Sequence, residues 1–202
     1  MTFVYLHGFR SSPASAKAVR FAAAIAALPR SVRPALAIPE LTDRPARAMA
    51  AVDALLRKVP APVCLVGSSL GGFYATVAAE RYGVRAVLIN PAVRPDVDLR
   101  DHAGVQTNLH TGASFDVTAA HFDELREMRV DRISRPDRYF LLVQTGDEVL
   151  DYRQAVGFYA GAFQRVQGGG DHAFTGFEAH IPEILAFGGL RFAGRALCTA
   201  HS

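Results

Sequence analysis

Short, mostly apolar runs alternate with stretches in which hydrophobic positions recur every three or four residues, from residue 3 to residue 187. The runs at 3–6, 35–38, 63–66, 86–89, 139–144 and 163–166 read as strands buried on both faces. Between the first two strands, Ala18, Phe21, Ile25 and Leu28 share one face of a helix over 14–28, with Ser12 or Ser15 as its cap and Pro29 as its stop. A second helix carries Met49, Val52, Leu56 and Val59, with Thr42 or Asp43 to cap it and Pro60 to end it. Small residues dominate a third over 72–79, and further helical patterns lie at 152–161 and 177–187, the latter with Pro182 near its first turn. Alternation of this kind predicts an α/β fold: six strands in a mostly parallel sheet, with helices on both faces.

Residues 92–136 break the rhythm. They form a long connection rich in charged and turn residues, with one helical pattern at 118–128 that presents Phe122, Leu125 and Met128 together. A connection this long leaves the end of the fourth strand, where it could serve as a small lid or simply pack without touching a substrate.

The length of 202 residues suits one domain, read here as 1–190 with a loosely ordered tail at 191–202. The net charge of +3 is spread over interleaved basic and acidic residues, which gives no basic stripe for nucleic acid. Cys64 and Cys198 make neither a disulfide framework nor a C-x-x-C site. The first strand begins almost at Met1, without a signal-peptide pattern, and the longest apolar stretch, 21–28, is too short to span a bilayer, so a cytoplasmic protein is expected. The chain has no G-x-x-x-x-G-K-S/T, no H-E-x-x-H and no early G-x-G-x-x-G, so neither a nucleotide, nor another cofactor, nor a metal is expected.

The candidate chemistry centres on Gly67-Ser68-Ser69-Leu70-Gly71, placed between the third strand and the small-residue helix. In a G-x-S-x-G turn the central serine projects at a sharp strand-to-helix elbow, and Gly67 and Gly71 allow the strand and helix to pass closely. The pentapeptide alone is a weak signal; its position strengthens it. A serine hydroxyl needs a base to take its proton and an acid to orient that base. His172 follows the glycine run 168–170 after the last strand, and Asp147 follows the strand at 139–144, which gives the order Ser69, Asp147, His172. Asp151 is the rival acid, although it also suits the cap of the next helix, and Asp171 better suits the turn. The amides of Leu70 and Phe9 are the expected oxyanion donors; Gly8 permits the tight turn after the first strand, and His7 braces it. The remaining histidines mostly suit surface positions, and His121 on the 118–128 helix is the one to test for substrate contact. Phe9, Phe73 or the neighbours of Leu70, and the 92–136 connection are expected to line the pocket.

Five segments strengthen this reading: HGFRSSPASAKA at 7–18, GSSLGGFYAT at 67–76, INPAVRP at 89–95, QTGDEVLDYR at 144–153 and GGDHAFTGFE at 169–178. Together they resemble the YqiA-type esterases, a small bacterial branch of the α/β-hydrolases, over nearly the whole chain. The resemblance implies a compact α/β-hydrolase sheet that lacks the first two strands of the full fold, ordered 2-1-3-4-5-6. It also implies hydrolysis of small-molecule carboxylic esters or thioesters by Ser69, Asp147 and His172. Two alternatives stay open: a non-catalytic relative that binds an acyl ligand or a partner, and an acyltransferase using the same three residues.

Overall fold

The computed structural model describes residues 1–191. The expected tail at 191–202, with Cys198 and His201, lies outside the described residues apart from Arg191. The elements run β1 (Thr2–Leu6), α1 (Ala16–Ala27), β2 (Ala35–Ala37), α2 (Pro45–Leu56), β3 (Val63–Ser68), α3 (Leu70–Tyr82), β4 (Arg85–Ile89) and α4 (Pro95–Asp98). A hairpin of β5 (Gly104–Thr107) and β6 (Ser114–Val117) follows, then α5 (Ala119–Met128), β7 (Tyr139–Gln144), α6 (Tyr152–Phe158), β8 (Phe163–Gln167) and α7 (Ile181–Gly188).

Six strands form one sheet in the order β2-β1-β3-β4-β7-β8, every pairing parallel, which is the expected order. Alternate strand residues enter different cores. Phe3, Tyr5, Val66, Ile89 and Leu142 meet Phe21 and Ile25 of α1 and Ile184 and Leu185 of α7. Val4, Leu6, Leu65, Leu88 and Leu141 meet Met49 and Val52 of α2, Tyr74 and Val77 of α3 and Leu125 of α5. Because β1 lies between β2 and β3, the connections leaving β1 and β3 turn to opposite faces, and a crevice opens at their carboxyl ends.

Neither expected cap of the first two helices acts as one. Ser15 stands at the N-cap of α1 without a side-chain bond, and Ser12 Oγ instead accepts from Ala14 N–H at 3.1 Å, closing a turn before the helix. Arg44, not Thr42 or Asp43, is the N-cap of α2. With no N–H on Pro45, the first free donor is Ala46, and Glu124 Oε2 from α5 accepts it at 3.0 Å while the same carboxylate pairs with the Arg44 guanidinium. This cap comes from tertiary structure and leaves no local sequence signal. The helix also ends at Leu56, before Pro60. Replacing Glu124 with alanine is expected to lower stability by about 1 kcal/mol, mostly through the lost cap, since an ion pair still partly open to solvent adds little; urea denaturation measures it.

The helix expected at 118–128 is present as α5, but it packs on α2 and α4. The segment over the crevice is the β5–β6 hairpin, which the sequence reading did not include. Up to Val117, which is buried, its residues alternate between exposed and half-buried, so it lacks the continuous apolar run that marked the sheet strands. Gly188 closes α7 and Gly189 caps it in the left-handed region, so the chain is regular up to that point.

Candidate active site

β3 ends at Ser68, and the chain then turns abruptly. Ser69 adopts φ 54° and ψ −124°, a conformation that L-residues seldom take. The neighbouring structure holds it there: Ser69 N–H donates to Ile89 O at 3.0 Å, and Ser69 O accepts from Gly72 N–H at 2.8 Å and Ala92 N–H at 3.1 Å. A β-carbon at Gly67 would collide with the backbone of Gly71 and Gly72, and one at Gly71 would collide with the carbonyls of Leu6 and His7. Both glycines are therefore dictated by close approach of backbone. Gly8 brings the loop after β1 alongside the elbow, where an added β-carbon would lie 3.1 Å from Ser69 Cβ.

His172 Nε2 lies 3.1 Å from Ser69 Oγ, and His172 Nδ1 lies 2.9 Å and 3.0 Å from the two oxygens of Asp147. The Asp147 side chain is turned inward and nearly covered, although the residue as a whole is half-buried, and its Oδ1 also accepts from the amides of Val149 and Leu150, each at 2.9 Å. Burial alone would raise the Asp147 pKa, but the His172 hydrogen bond, these amides and the imidazole's charge outweigh it and hold the carboxyl below its ordinary value. An ionised Asp147 accepts from Nδ1–H, which leaves Nε2 as an acceptor for the Ser69 hydroxyl. Asp151 caps α6 by accepting from Arg153 N–H at 3.0 Å, and both oxygens of Asp171 are taken by Thr175.

Asn90 and Gln144, absent from the sequence reading, hold the His172 loop. From the end of β4, Asn90 Nδ2 donates to the carbonyls of Asp171 and His172 at 3.0 and 3.2 Å, while its Oδ1 accepts from Gln144 N–H at 3.0 Å. From the end of β7, the fully buried Gln144 side chain donates to Thr175 O at 2.7 Å and accepts from Asp171 N–H at 3.0 Å. Glu148 Oε2 accepts from His172 N–H at 3.0 Å, and Lys17 Nζ donates to Ala173 O at 2.9 Å. A polar residue closing an otherwise apolar strand, as in both Ile89-Asn90 and Val143-Gln144, is the available signal.

The loop after β1 is equally fixed. The amides of Phe9 and Leu70 have no hydrogen-bond partner among the described residues. Buried His7 accepts from Leu41 N–H through Nε2 at 3.1 Å, with Nδ1 lying 3.2 Å from Gly8 O, an arrangement that suits the neutral Nδ1–H tautomer. Burial, set against the Gly8 carbonyl and Glu40, pulls the His7 pKa below its ordinary 6.5. Between that folded value and 6.5 the unfolded chain binds the extra proton, so His7 makes stability rise with pH through this window and level off above it. Guanidinium unfolding at a series of pH values should show this rise in the wild type and its loss in His7→Gln.

Two cavities flank this loop and share His7, Gly8, Phe9, Arg10 and Ser11. One, of about 590 Å³, contains Ser69 and His172; the other, of about 260 Å³, contains Leu41, Leu70, Tyr74 and Phe115. The hairpin borders both and is fastened to the loop: Arg10 Nε donates to Thr107 O, Asn108 Nδ2 to Ser11 O, and Leu109 N–H to Arg10 O, at 2.9–3.0 Å. Phe9 packs edge-on against Phe115, with ring centroids 5.8 Å apart. Phe73, expected in the pocket, lines neither cavity and faces the α6 side with Thr76 and Tyr159. His121 also lines neither; it is buried in the capping box of α5 with Thr118. Among the described residues no cluster of three or more His, Cys, Asp or Glu is placed to hold a metal ion, and no helix is long and apolar enough to cross a membrane.

The sheet order, the elbow after β3 and the helices on both faces define an α/β-hydrolase fold. The chain belongs to the uncharacterised protein family UPF0227, the YqiA family, which matches residues 2–189. Solved structures agree on the fold. Mouse alpha/beta hydrolase domain-containing protein 10 superposes with a TM-score of 0.69 at 16% identity, covering 92% of this chain and 89% of that one. Est1E from Butyrivibrio proteoclasticus, solved with ferulic acid bound, gives 0.67 at 14% identity over 92% and 87%. The monoacylglycerol lipase of Paleococcus ferrophilus gives 0.65 at 14% identity over 92% and 94%. At these identities the likeness shows a shared fold.

Proposed function

We propose that the protein is a serine hydrolase that cleaves carboxylic esters or thioesters of small to medium acyl groups through an acyl-enzyme intermediate. The observation that carries this reading is the unbroken hydrogen-bonded line from Ser69 Oγ through His172 to Asp147, beside the amides of Phe9 and Leu70, which have no partner among the described residues. Ser69 Oγ attacks the acyl carbon while His172 Nε2 takes its proton, and the carbonyl oxygen becomes an oxyanion held by the two amides and the amino end of α3. The intermediate collapses as the C–O or C–S bond to the leaving group breaks, and His172 returns the proton to the departing alcohol or thiol. Water repeats the sequence: His172 takes its proton, the acid is released, and Ser69 recovers its hydrogen. Neighbours named as an esterase domain, from Rhodothermus marinus, and as a monoacylglycerol lipase agree with an ester substrate.

The test is a panel of p-nitrophenyl acetate, p-nitrophenyl butyrate and a butyryl thioester, with both products quantified. Saturable turnover that releases acid and alcohol or thiol in equal amounts is expected. Rates no higher than those of the heat-denatured protein on every substrate overturn the reading, and acyl transfer to an added alcohol in place of water turns it into a transferase.

A further inference from the structure

The two cavities differ in charge. The larger is walled by Arg10, Lys17 and Arg20, against Glu148. Arg20 is paired with Glu178 at 2.7 Å, whereas among the described residues Arg10 and Lys17 form no ion pair, their hydrogen bonds going to the carbonyls of Thr107 and Ala173. The acids nearest Lys17 are already engaged, Asp147 by His172 and by backbone amides, Asp171 by Thr175. Glu148 is bound by the His172 amide. Arg10 also holds a left-handed φ of 55°, where glycine would sit without strain, and a strained residue kept at a site is a mark of use. The smaller cavity shares Arg10 but is not lined by Lys17 or Arg20, and it joins apolar walls with the carboxylates Glu40 and Asp43.

The proposed chemistry assigns the occupants. His172 must hand its proton to the departing atom, and His172 lines only the larger cavity, so the leaving group belongs there and the acyl group belongs beside Leu70. Resting on the serine-hydrolase reading, we infer that the leaving group is anionic: an alcohol or thiol carrying a carboxylate or phosphate, bound by Arg10 and Lys17. A carboxylate or phosphate gives these two cations the charged acceptor that the protein withholds, while a neutral alcohol leaves them facing solvent.

Matched esters with one acyl group isolate the effect. One pair is the butyrates of 3-hydroxybenzoate and 3-hydroxybenzamide; the other is 3-(hydroxymethyl)phenyl butyrate with and without a benzylic phosphate. At pH 7, where Lys17 with its pKa of about 8 keeps its charge, and at low salt, the ratio of kcat/KM, anionic over neutral, is expected to reach about tenfold in at least one pair. The larger ratio identifies the preferred anion. Arg10→Gln and Lys17→Gln should each cut that ratio several-fold, Lys17→Arg should keep most of it, and salt of about 0.5 M should reduce it by screening. A merely structural role would lower both rates and leave the ratio unmoved. The inference is overturned by ratios near one in both pairs, or by ratios that the glutamine variants do not change. Turnover of the neutral esters with a flat ratio removes this inference alone, whereas no turnover of any ester removes the hydrolase reading and this inference with it.

Discussion

Ser69→Ala is expected to lower kcat for p-nitrophenyl butyrate by on the order of 10⁶-fold, to the level of the buffer reaction, with folding intact. The size follows from the proposed covalent route: without Oγ no acyl-enzyme can form, and His172 and Asp147 have nothing to activate. Stability should change by no more than about 1 kcal/mol, because the side chain caps nothing and its one hydrogen bond goes to His172, itself partly open to solvent. A glycine at the same position separates strain from chemistry further. It accepts φ 54° without a β-carbon clash, so Ser69→Gly should be equally inactive yet at least as stable as the alanine variant. Steady-state rates and urea denaturation on the three proteins measure both effects.

Asp147→Asn is expected to reduce kcat by about 10⁴-fold with little change in KM. The geometry specifies how. The position of Oδ1 faces two backbone N–H donors, from Val149 and Leu150, so an asparagine keeps its carbonyl there and turns its amide NH₂ to the position of Oδ2, 2.9 Å from His172 Nδ1. That nitrogen must then accept, the ring proton moves to Nε2, and Nε2 can no longer take the proton of Ser69. The same carboxylate links activity to acid stability. Its folded pKa lies below the ordinary 3.8, so its contribution is present above that value and disappears as pH falls through the folded value; the wild type should lose stability in this window and the asparagine variant should not.

Much of this architecture is legible in the sequence because the four central strands are buried on both faces, whereas the edge strands β2 and β8, expected to be buried as well, are partly exposed because each has a neighbour on one side only. β1, β3, β4 and β7 appear as apolar runs, and Pro29 and the glycines of the elbow punctuate the chain where the backbone must turn. The residues at 69, 147 and 172 stand out for the same reason: each lies in the turn that follows a strand, Ser69 directly after β3, Asp147 shortly after β7 and His172 beyond the glycine run after β8. What was hidden depends on partners distant along the chain. Glu124 caps α2 from 78 residues away, Asn90 reaches the His172 loop across 81, and the β5–β6 hairpin is recognisable by its attachment to residues 10 and 11 rather than by its composition. His121 shows the opposite case, a chemically capable side chain whose Nδ1 accepts from Thr118 N–H in a helix cap.

The most direct measurement of the central claim is covalent trapping with a fluorophosphonate, read by intact mass and peptide mapping. One adduct per chain on Ser69, formed rapidly by the wild type and slowed by orders of magnitude in His172→Ala, is the result this account predicts. An unmodified Ser69 after prolonged exposure, in protein shown to be folded, would contradict it.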